Sequence, residues 1–499
     1  FTIKFCYRPR NSATDTMKAP TYALAAGSVM VLTMLTTYTF CVHQHQCPAL
    51  PHLPTISNTW DNIPGNFLSR FVVNHVALAM ALLQWTIFTP RLKTTKCAKF
   101  SLGAGVLACF FLSIVGAICD SSNGAECQGE GVVHSVSAVL FFILYNINMI
   151  LVSCDKKKRT TSTCHHNLMR LLTVLSTLLK IRFILPRLSS SFAFGDQTYL
   201  ALFEWTDTFL IIGWSVFYVW KNRQNWSIEL QIENDNQRDE EDKNTKTTAI
   251  RFSIYNITWV VLLLFFSTLG ICYYFIKKQG GVPAGSFPYI SDMFVHKPGN
   301  WISRWTLVFG STLSGFGQVC LYHMDNKKKR IDQMLTGLSL FAILGLSIVG
   351  CVNEKELHWL HFLGAGMFFG GYDLFMILRT LRLKSMVELQ LKWKIVLALL
   401  CFMSCACTFL RYCPSGPACL TFMFSEAHIK GFLLPVIEWI DALTIILYMA
   451  ASLFSYGKST AQNIGLAIVS SAEPEEEEEE EEGMAVPLTL TSRLIRFSV

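Results

Sequence analysis

Long apolar segments alternate with shorter polar ones along most of the chain. Each apolar segment has close to the ~20 residues that an α-helix needs to cross a lipid bilayer. The pattern predicts an all-α polytopic membrane protein with about twelve transmembrane helices. Their predicted bounds are 22–42, 67–88, 100–118, 131–153, 168–186, 198–220, 252–276, 301–323, 333–352, 357–378, 393–411 and 432–456. The fifth is the least typical, because Lys180 and Arg182 lie within it and charges near the middle of a membrane helix are costly.

Composition agrees with this fold class. The chain has 499 residues, of which 52% are hydrophobic and 15% are charged, whereas a soluble protein carries about 25% charged residues. Motifs typical of soluble enzymes, of nucleotide-binding loops and of zinc sites do not occur. We therefore expect no cofactor, no metal site and no nucleic-acid partner, and a non-enzymatic role is favoured.

The distribution of Lys and Arg predicts the orientation of the helices. The loops after the second, fourth, eighth and tenth spans are rich in both residues, while 43–66 and 119–130 contain neither. By the positive-inside rule, both termini are predicted to be cytoplasmic. The basic loops would also attract anionic lipid head groups. Two cysteine pairs flank predicted non-cytoplasmic loops and are candidates for disulfides: Cys119 with Cys127, and Cys413 with Cys419.

The chain contains an internal duplication. The stretch LPTISNTWDNIPGNFLSRF at 53–71 returns as FPYISDMFVHKPGNWISRW at 287–305, 234 positions later. The blocks SIVGAICD and EWTDTFLII return at the same offset as SIVGCVNE and EWIDALTII. Each copy holds six predicted spans, an even number, so the two copies have the same orientation and are expected to form parallel repeats.

The duplication predicts five regions. They are an N-terminal cytoplasmic segment at 1–21, a first six-span repeat at 22–220, a polar cytoplasmic linker at 221–251, a second six-span repeat at 252–456 and a tail at 457–499. Met17 is the expected start of translation, which would place 1–16 upstream of it. The tail contains a run of glutamates and is expected to be disordered.

Several polar residues recur at one depth in the membrane. An arginine opens the second span of each repeat, a histidine lies near the start of the fourth, and a Glu-Trp-x-x-Asp motif opens the sixth. The spacing of that motif places both carboxylates on one face of a helix. The recurring residues are Arg70, His134, Glu204 and Asp207 in the first repeat, and Arg304, His361, Glu438 and Asp441 in the second.

Charges at this depth are expected to face the protein interior and to pair with each other. The sequence predicts that Arg304 pairs with Glu438 or Asp441, and that the arginine and carboxylates of the first repeat pair in the same way. Two interpretations are open. The residues form either a lipid pocket, in which Arg binds a phosphate while carboxylate and His bind an amine or a proton, or a structural clasp between helices.

The loop motif before each second span also has a structural explanation. Proline and glycine set turns, and Asn, Asp or Ser can satisfy free backbone amides at the start of a helix. In the second repeat the motif consists of Pro288, Ser291, Asp292, Pro298, Gly299 and Asn300. These residue types fit a turn, but a turn alone does not require the whole string to recur.

The motif, the string VGCVNEKELHWLHFLGAGMFF at 349–369 and the Glu-Trp pair that opens the last span together resemble one family. It is the damage-regulated autophagy modulator (DRAM) family, within the wider Frag/DRAM/Sfk superfamily of six-span proteins. The chain resembles a tandem double-length member. The second copy fits better, because Asn58 replaces the Asp of the motif and the first copy lacks the Gly-Ala-Gly string.

The resemblance implies a function connected with membrane lipid. DRAM-like members are lysosomal or endomembrane proteins that promote autophagy, and Frag-like members act in lipid remodelling of glycosylphosphatidylinositol (GPI) anchors. We therefore expect a multi-pass lysosomal or endomembrane protein that modulates autophagy, with membrane lipids as partners. The alternative is a GPI-anchor remodelling factor of the endoplasmic reticulum or Golgi.

Overall fold

The computed structural model describes thirteen stretches of the chain. They are 17–50, 52–88, 96–118, 131–153, 163–188, 197–222, 226–232, 253–283, 285–324, 330–382, 389–412, 425–457 and 464–470. Residues 1–16, both predicted cysteine pairs, much of the basic loops and the glutamate run lie outside them. The predictions made for those segments stay predictions.

A long helix occupies each of the twelve predicted positions. In the first repeat these are α1 (Ala19–His43), α3 (Gly65–Phe88), α4 (Lys96–Ala117), α5 (Gly131–Ser153), α6 (Thr163–Leu188) and α7 (Gln197–Asn222). In the second they are α8 (Ile254–Lys278), α10 (Gly299–Met324), α11 (Arg330–Cys351), α12 (His358–Arg382), α13 (Leu391–Tyr412) and α15 (Leu434–Phe454). Short helices α2 (Ile56–Thr59), α9 (Ile290–Met293) and α14 (Glu426–His428) lie in the connections, and a π-helical turn, Ile429–Leu433, joins α14 to α15.

Ten of these helices are long and apolar enough to span a membrane, within the stretches that the structure describes. The other two, α6 and α10, are long enough at 26 residues each but are more polar. On α10 most polar residues are buried, among them Arg304, Ser311 and Gln318. Both helices therefore occupy predicted positions. They are less apolar than the other ten because they carry polar groups into the bundle. The all-α polytopic membrane class is confirmed.

The six long helices of each repeat form a closed ring. Each helix packs against the next one in the chain, and the sixth returns to the first. The two rings also bury matching hydrogen bonds. Gln84 donates to the Tyr145 hydroxyl at 2.9 Å, and Gln318 donates to the Tyr372 hydroxyl at 3.0 Å. The repeats therefore share helix order and internal polar contacts.

The rings meet through the second and third long helices of each repeat. Helix α3 packs against α10, and the contact of α3 with α11 is matched by the contact of α4 with α10. This exchange of equivalent helices defines an isologous interface around a pseudo-two-fold axis, as in a symmetric dimer. Across it, the indole of Trp305 donates to the Ser113 hydroxyl at 2.8 Å, and the rings of Phe110 and Trp305 lie 5.5 Å apart.

The two motif loops lie at one end of the bundle, which we call the motif side. In each loop the short helix packs so closely on the next long helix that a side chain at Gly65 or Gly299 would strike a backbone carbonyl. The indoles of Trp205 and Trp439 donate to the carbonyls of Pro54 and Pro288, at 2.9 and 3.1 Å. The motif recurs because it fixes this loop against both the second and the sixth long helix of its repeat.

A small antiparallel sheet lies at the other end of the bundle, and the sequence pattern did not predict it. Strand β1 (Met17–Lys18) pairs with β2 (Trp226–Ile232), which pairs with β3 (Ile464–Ser470). The sheet joins the chain before α1, the linker after α7 and the chain after α15. On the motif side, a disulfide that was also not predicted joins Cys41 to Cys47.

Candidate functional site

Two arginines, one from each repeat, converge on one glutamate at the interface of the rings. Arg70 NH1 lies 2.9 Å from Glu356 Oε2, and Arg304 forms an ion pair with Glu356 Oε1. Arg70 NH1 also donates to the carbonyl of Cys351 at 3.0 Å. All three charged side chains are at most 2% exposed. We call Arg70, Glu356 and Arg304 the inter-repeat triad.

The loop between α11 and α12 prepares Glu356 for this role. Its carboxylate accepts a hydrogen bond from the backbone amide of Asn353 at 3.2 Å, which closes the loop. Burial on its own would raise the pKa of Glu356, but the guanidinium groups of Arg70 and Arg304 outweigh it and lower that pKa to about 2. Glu356 is therefore an anion at any physiological pH.

The triad overturns the predicted pairing of arginine with the carboxylates of its own repeat. In place of Arg304, the partner of Glu438 is Arg411, whose NH2 lies 2.9 Å from Glu438 Oε2. Arg70, predicted to pair with Glu204 or Asp207, contacts Glu356 of the other repeat instead. The recurring arginines belong to the interface between repeats, while the recurring carboxylates belong to the interior of each repeat.

A cavity of about 70 Å³ lies inside the second repeat, towards the motif side. Its polar wall comes from five segments of the chain: Ser291, Glu354, His361, Arg411 and Glu438. Its remaining wall is apolar and includes Leu269, Phe294, Leu307, Phe362 and Phe369. We call this space the repeat-2 cavity; it places one cation and two carboxyl groups beside an apolar surface.

Aromatic rings and the sixth long helix position Arg411. Its guanidinium lies 5.7 Å from the centre of the Tyr289 ring and 5.6 Å from that of Phe369, distances typical of cation–π contacts. Its partner Glu438 is buried in the first part of α15 and also accepts a hydrogen bond from the Ser291 amide. The cation and anion are thus held in place before any ligand arrives.

Two loop carboxyl groups meet at the same wall. Glu354 of the α11–α12 loop interacts with Asp292 of α9, and burial and the charge of Asp292 both raise the pKa of Glu354. Asp292 also accepts from the amide of Tyr289 at 3.2 Å. Glu354 therefore takes up a proton more readily than an ordinary exposed glutamate does.

The recurring histidines are buried and equivalent. His361 Nδ1 lies 2.7 Å from the carbonyl oxygen of Val352, and His134 Nδ1 lies 2.7 Å from that of Ile118. His134 Nε2 additionally lies 3.1 Å from the Ser57 hydroxyl. Both histidines therefore tie the start of the fourth long helix to the end of the third, and His361 also lines the repeat-2 cavity.

The carboxylates of the first repeat have internal partners. Glu204 accepts from the amide of Ile56 at 3.0 Å. Asp207 forms an ion pair with Lys180 at 2.6 Å and accepts from the Ser176 hydroxyl at 2.5 Å. The Lys180 that made α6 an unusual span is therefore buried and neutralised within the repeat.

The equivalent part of the second repeat has different chemistry. Asp441 accepts from Thr408 at 2.9 Å, and Ser404 lies 2.6 Å from Asp441 and 2.5 Å from Asp373. Asp441 is completely buried and lies one helical turn beyond Glu438, outside the wall of the repeat-2 cavity.

The remaining motif residues shape the loop. Pro288 accepts from Trp439, Pro298 follows a cis peptide bond, and Gly299 allows the close approach of α9. Asn300 is buried, and its carbonyl accepts from Ser303 at 2.9 Å. Of the motif residues, Ser291 lines the repeat-2 cavity and Asp292 contacts its polar wall through Glu354.

Four polar residues were not predicted from the sequence: Glu354, Glu356, Asp373 and Arg411. The predicted residues recur at matching positions, whereas these four have no identical counterpart: Asn146 stands where the second repeat has Asp373, for example. A search for charged residues that differ between the repeats would have found them. The polar chemistry of the second repeat therefore depends mainly on the residues that differ between the two repeats.

Comparison with known protein families agrees with this architecture. A model described as the Frag1/DRAM/Sfk1/Cwh43P N-terminal domain matches the chain twice, at residues 20–221 and 253–455. The chain belongs to this family. Each Frag1/DRAM/Sfk1 match coincides with one ring of six helices, so the tandem duplication and the resemblance to the superfamily are confirmed. Neither a curated protein nor a solved structure matches the chain.

Proposed function

We propose that this protein is a DRAM-like endomembrane protein that modulates autophagy or lysosome function by binding a membrane lipid head group in the repeat-2 cavity. One observation carries the proposal: a cation and two carboxyl groups line the same small space as an apolar wall. A lipid presents the same combination, with a charged head group next to acyl chains. Membership of the Frag1/DRAM/Sfk1 family supports a membrane protein of this kind.

The charges favour a head group that contains both a phosphate and an amine. Arg411 offers a guanidinium to a phosphate, the interaction for which its planar donor geometry is suited. Glu354 and Glu438 offer carboxylates to an ammonium. The cavity of about 70 Å³ has the volume of roughly two or three water molecules, so it would accept the ammonium end of the head group and leave the acyl chains outside.

The surface next to the cavity suits those chains. Phe362 lines the cavity and is 48% exposed, and Trp359, one turn earlier on α12, is 63% exposed. Exposed apolar side chains on a membrane helix face lipid. The Cys41–Cys47 disulfide lies on the motif side, and disulfides persist in oxidising compartments, which supports the predicted luminal position of that side.

Lipid photo-crosslinking tests the proposal. Purified protein in nanodiscs would be labelled with a photoactivatable phosphatidylethanolamine, and the labelled peptides identified by mass spectrometry. We expect labels on α12 near Phe362, and a loss of at least fivefold when Arg411→Gln and Glu438→Gln remove the ion pair together. Lys430→Gln, which removes an exposed cation paired with Glu426, is the control. Equal labelling of all three proteins would exclude the cavity as a head-group site.

The alternative function is a GPI-anchor lipid-remodelling factor of the Frag branch. The observation that favours it is the presence of His361 beside two carboxyl groups in one cavity, a set that could move protons during acyl transfer. A knockout separates the two functions when autophagic flux and the lipid composition of surface GPI anchors are measured in the same cells. Altered flux with normal GPI lipids supports the first function, and the opposite result supports the second.

A further inference from the structure

Two buried aspartates of the second repeat share one serine hydroxyl. Ser404 Oγ on α13 lies 2.5 Å from Asp373 Oδ1 on α12 and 2.6 Å from Asp441 Oδ1 on α15. Thr408, one turn along α13, donates to Asp441 Oδ2 at 2.9 Å. Three long helices therefore bring two carboxyl groups and two hydroxyls to one point inside the bundle.

This arrangement needs one proton more than the serine hydroxyl and two ionised aspartates provide. A serine hydroxyl has a single hydrogen and can donate to only one of the two carboxylates. At 2.5 to 2.6 Å, the other contact is a hydrogen bond only if the second carboxyl group donates to the serine oxygen. If both aspartates were ionised, a lone pair of the serine oxygen would face a carboxylate oxygen at that distance, and the two would repel each other.

No basic side chain forms an ion pair with either aspartate in the part of the chain that the structure describes. Arg411 acts on Asp441 from a distance but is paired with Glu438. Asp441 is fully buried, and Asp373 is 6% exposed. Among the described residues, Asp373 Oδ2 is buried and makes no hydrogen bond. Two adjacent carboxylates without a counter-ion are unfavourable in a low-dielectric interior, so a bound cation or proton has to neutralise one of them.

The first repeat shows what occupies this place when the chain supplies its own cation. Ser176 and Asp207 are equivalent to Ser404 and Asp441, and Lys180 stands where the second repeat has Thr408. The Lys180 ammonium lies 2.6 Å from Ser176 Oγ and 2.9 Å from Asp207 Oδ1. The second repeat lacks this lysine and has an additional carboxyl group, Asp373, in place of Asn146.

We propose that Asp373, Ser404 and Asp441 form a proton-binding site in the interior of the second repeat, at the place that the Lys180 ammonium occupies in the first. The site takes one exchangeable proton, which is shared by the two carboxyl groups through the serine hydroxyl. It is distinct from the head-group site of the proposed function, since neither aspartate lines the repeat-2 cavity.

The groups around the pair are compatible with a neutral, protonated state. The titratable neighbours on α13 are the thiols of Cys401, Cys405 and Cys407 and the guanidinium of Arg411. Arg411 is already paired with Glu438 at 2.9 Å. Glu438 lines the cavity and lies three residues, about one helical turn, before Asp441, on the motif side of the pair.

Infrared spectroscopy of the full-length protein with carboxyl-labelled aspartate tests the site. Only a protonated aspartate gives a carboxylic acid carbonyl band that shifts with this label, which separates it from protonated glutamate. At pH 7 we expect one such aspartate per molecule in the wild type, with a band that shifts further on exchange into D₂O. Absence of any protonated aspartate at neutral pH overturns the proposal.

Two variants exchange the chemistry of the repeats. Asp373→Asn combined with Thr408→Lys recreates a set of side chains that the protein already folds around in its first repeat, and it should abolish the band. The reciprocal change, Asn146→Asp with Lys180→Thr, should add a second protonated aspartate. Size-exclusion chromatography establishes that each variant is folded. A band that persists unchanged in the folded first variant places the proton elsewhere, and loss of the wild-type band on addition of Na⁺, with sodium bound, assigns the site to a metal cation instead.

Discussion

Glu356 balances two buried arginines that come from different repeats. Removing one partner of a buried ion pair costs roughly 3–5 kcal/mol, because the remaining charge loses its compensation. Glu356→Gln keeps the size of the side chain and removes its charge, so we expect a loss of stability in that range. Unfolding in increasing concentrations of SDS, at fixed lipid concentration, would measure it.

A matched control distinguishes this buried triad from ordinary surface pairs. Glu426 and Lys430 also form an ion pair, but their side chains are 73% and 70% exposed. Glu426→Gln should leave the unfolding midpoint unchanged, since exposed pairs contribute little. Equal midpoints for Glu356→Gln and Glu426→Gln would contradict the assignment of the triad as a stabilising contact.

The pH dependence of the triad has a defined sign. The pKa of Glu356 is lowered from 4.5 to about 2 in the folded protein, so its contribution is fully present above pH 4.5 and is lost as the pH falls from there towards 2. The difference in stability between wild type and Glu356→Gln should therefore be constant from neutral pH to about pH 5 and should shrink below that. SDS unfolding at a series of pH values would test this, and a difference that grows on acidification would be inconsistent with it.

The raised pKa of Glu354 predicts that ligand binding is also favoured at higher pH. An ammonium group needs the ionised carboxylate, and the ionised fraction of Glu354 rises with pH through a pKa above its ordinary value. Crosslinking of the phosphatidylethanolamine probe should thus increase as the pH is raised. In Glu354→Gln, crosslinking should be weaker and less dependent on pH; an unchanged pH profile in that variant would exclude Glu354 as the responsible group.

At the residue scale, the sequence identified which positions are buried and polar but not how they pair. All eight recurring candidates are in the described structure; Glu204 is half-buried and the other seven are buried. The pairing was wrong for Arg70 and Arg304, because an internal repeat suggests contacts within each copy. Glu356 occurs once and serves both copies, which no comparison of one copy with the other can reveal.

At the scale of elements, glycine sets the distance between α11 and α12. A side chain at Gly345 would come within 2.5 Å of the Gly364 carbonyl oxygen and 2.7 Å of the Phe368 amide. Both of these neighbours are backbone atoms, which cannot move away from an added methyl group as the end of a flexible side chain can. Within the Gly-Ala-Gly string at 364–366, Gly364 therefore belongs to a close helix contact and Gly366 does not.

Two alanine substitutions test this packing. Gly345→Ala should destabilise the protein by roughly 1–3 kcal/mol, since the added methyl group forces the helices apart. Gly366→Ala is the control, because nothing lies within 4 Å of a side chain at that position, and it should be neutral or slightly stabilising through helix propensity. Both are measured by SDS unfolding, and similar losses for the two variants would show that the contact is not critical.

Element positions were well predicted because apolar periodicity dominates a membrane protein. Each of the twelve predicted spans coincides with a long helix to within a few residues. The prediction failed for β2 and β3, which lie in the predicted linker and in the tail predicted to be disordered. These two seven-residue strands pair with each other across more than 200 residues of sequence. Strand pairing of that kind depends on where the helices bring the chain ends, which local pattern does not encode.

At the scale of the whole molecule, the two rings behave as a symmetric dimer within one chain. The interface contains the inter-repeat triad, the Trp305–Ser113 hydrogen bond and an apolar cluster that includes Phe67, Val308 and Val352. Such an interface should hold the rings together without help from the linker. The covalent connection would then be needed to assemble the repeats but not to keep them associated.

Cutting the linker tests this. A protease site inserted within 233–252 would be cleaved in the purified protein, and the two fragments then separated by an affinity tag on one of them. We expect the fragments to co-purify in mild detergent, and to separate more readily when Glu356→Gln is also present. Immediate separation of the wild-type fragments would show that the linker, not the interface, holds the molecule together.

Because Glu356 lies in the second repeat, loss of the first repeat and loss of the second repeat would have different consequences. A gene that lost its first half would still encode Arg304 together with its anion, and the surviving ring would keep a neutral pair at its exposed interface. A gene that lost its second half would take the carboxylate away from Arg70. Shortening of this protein is therefore easier from one direction than from the other, and a single-ring descendant is expected to derive from the second repeat.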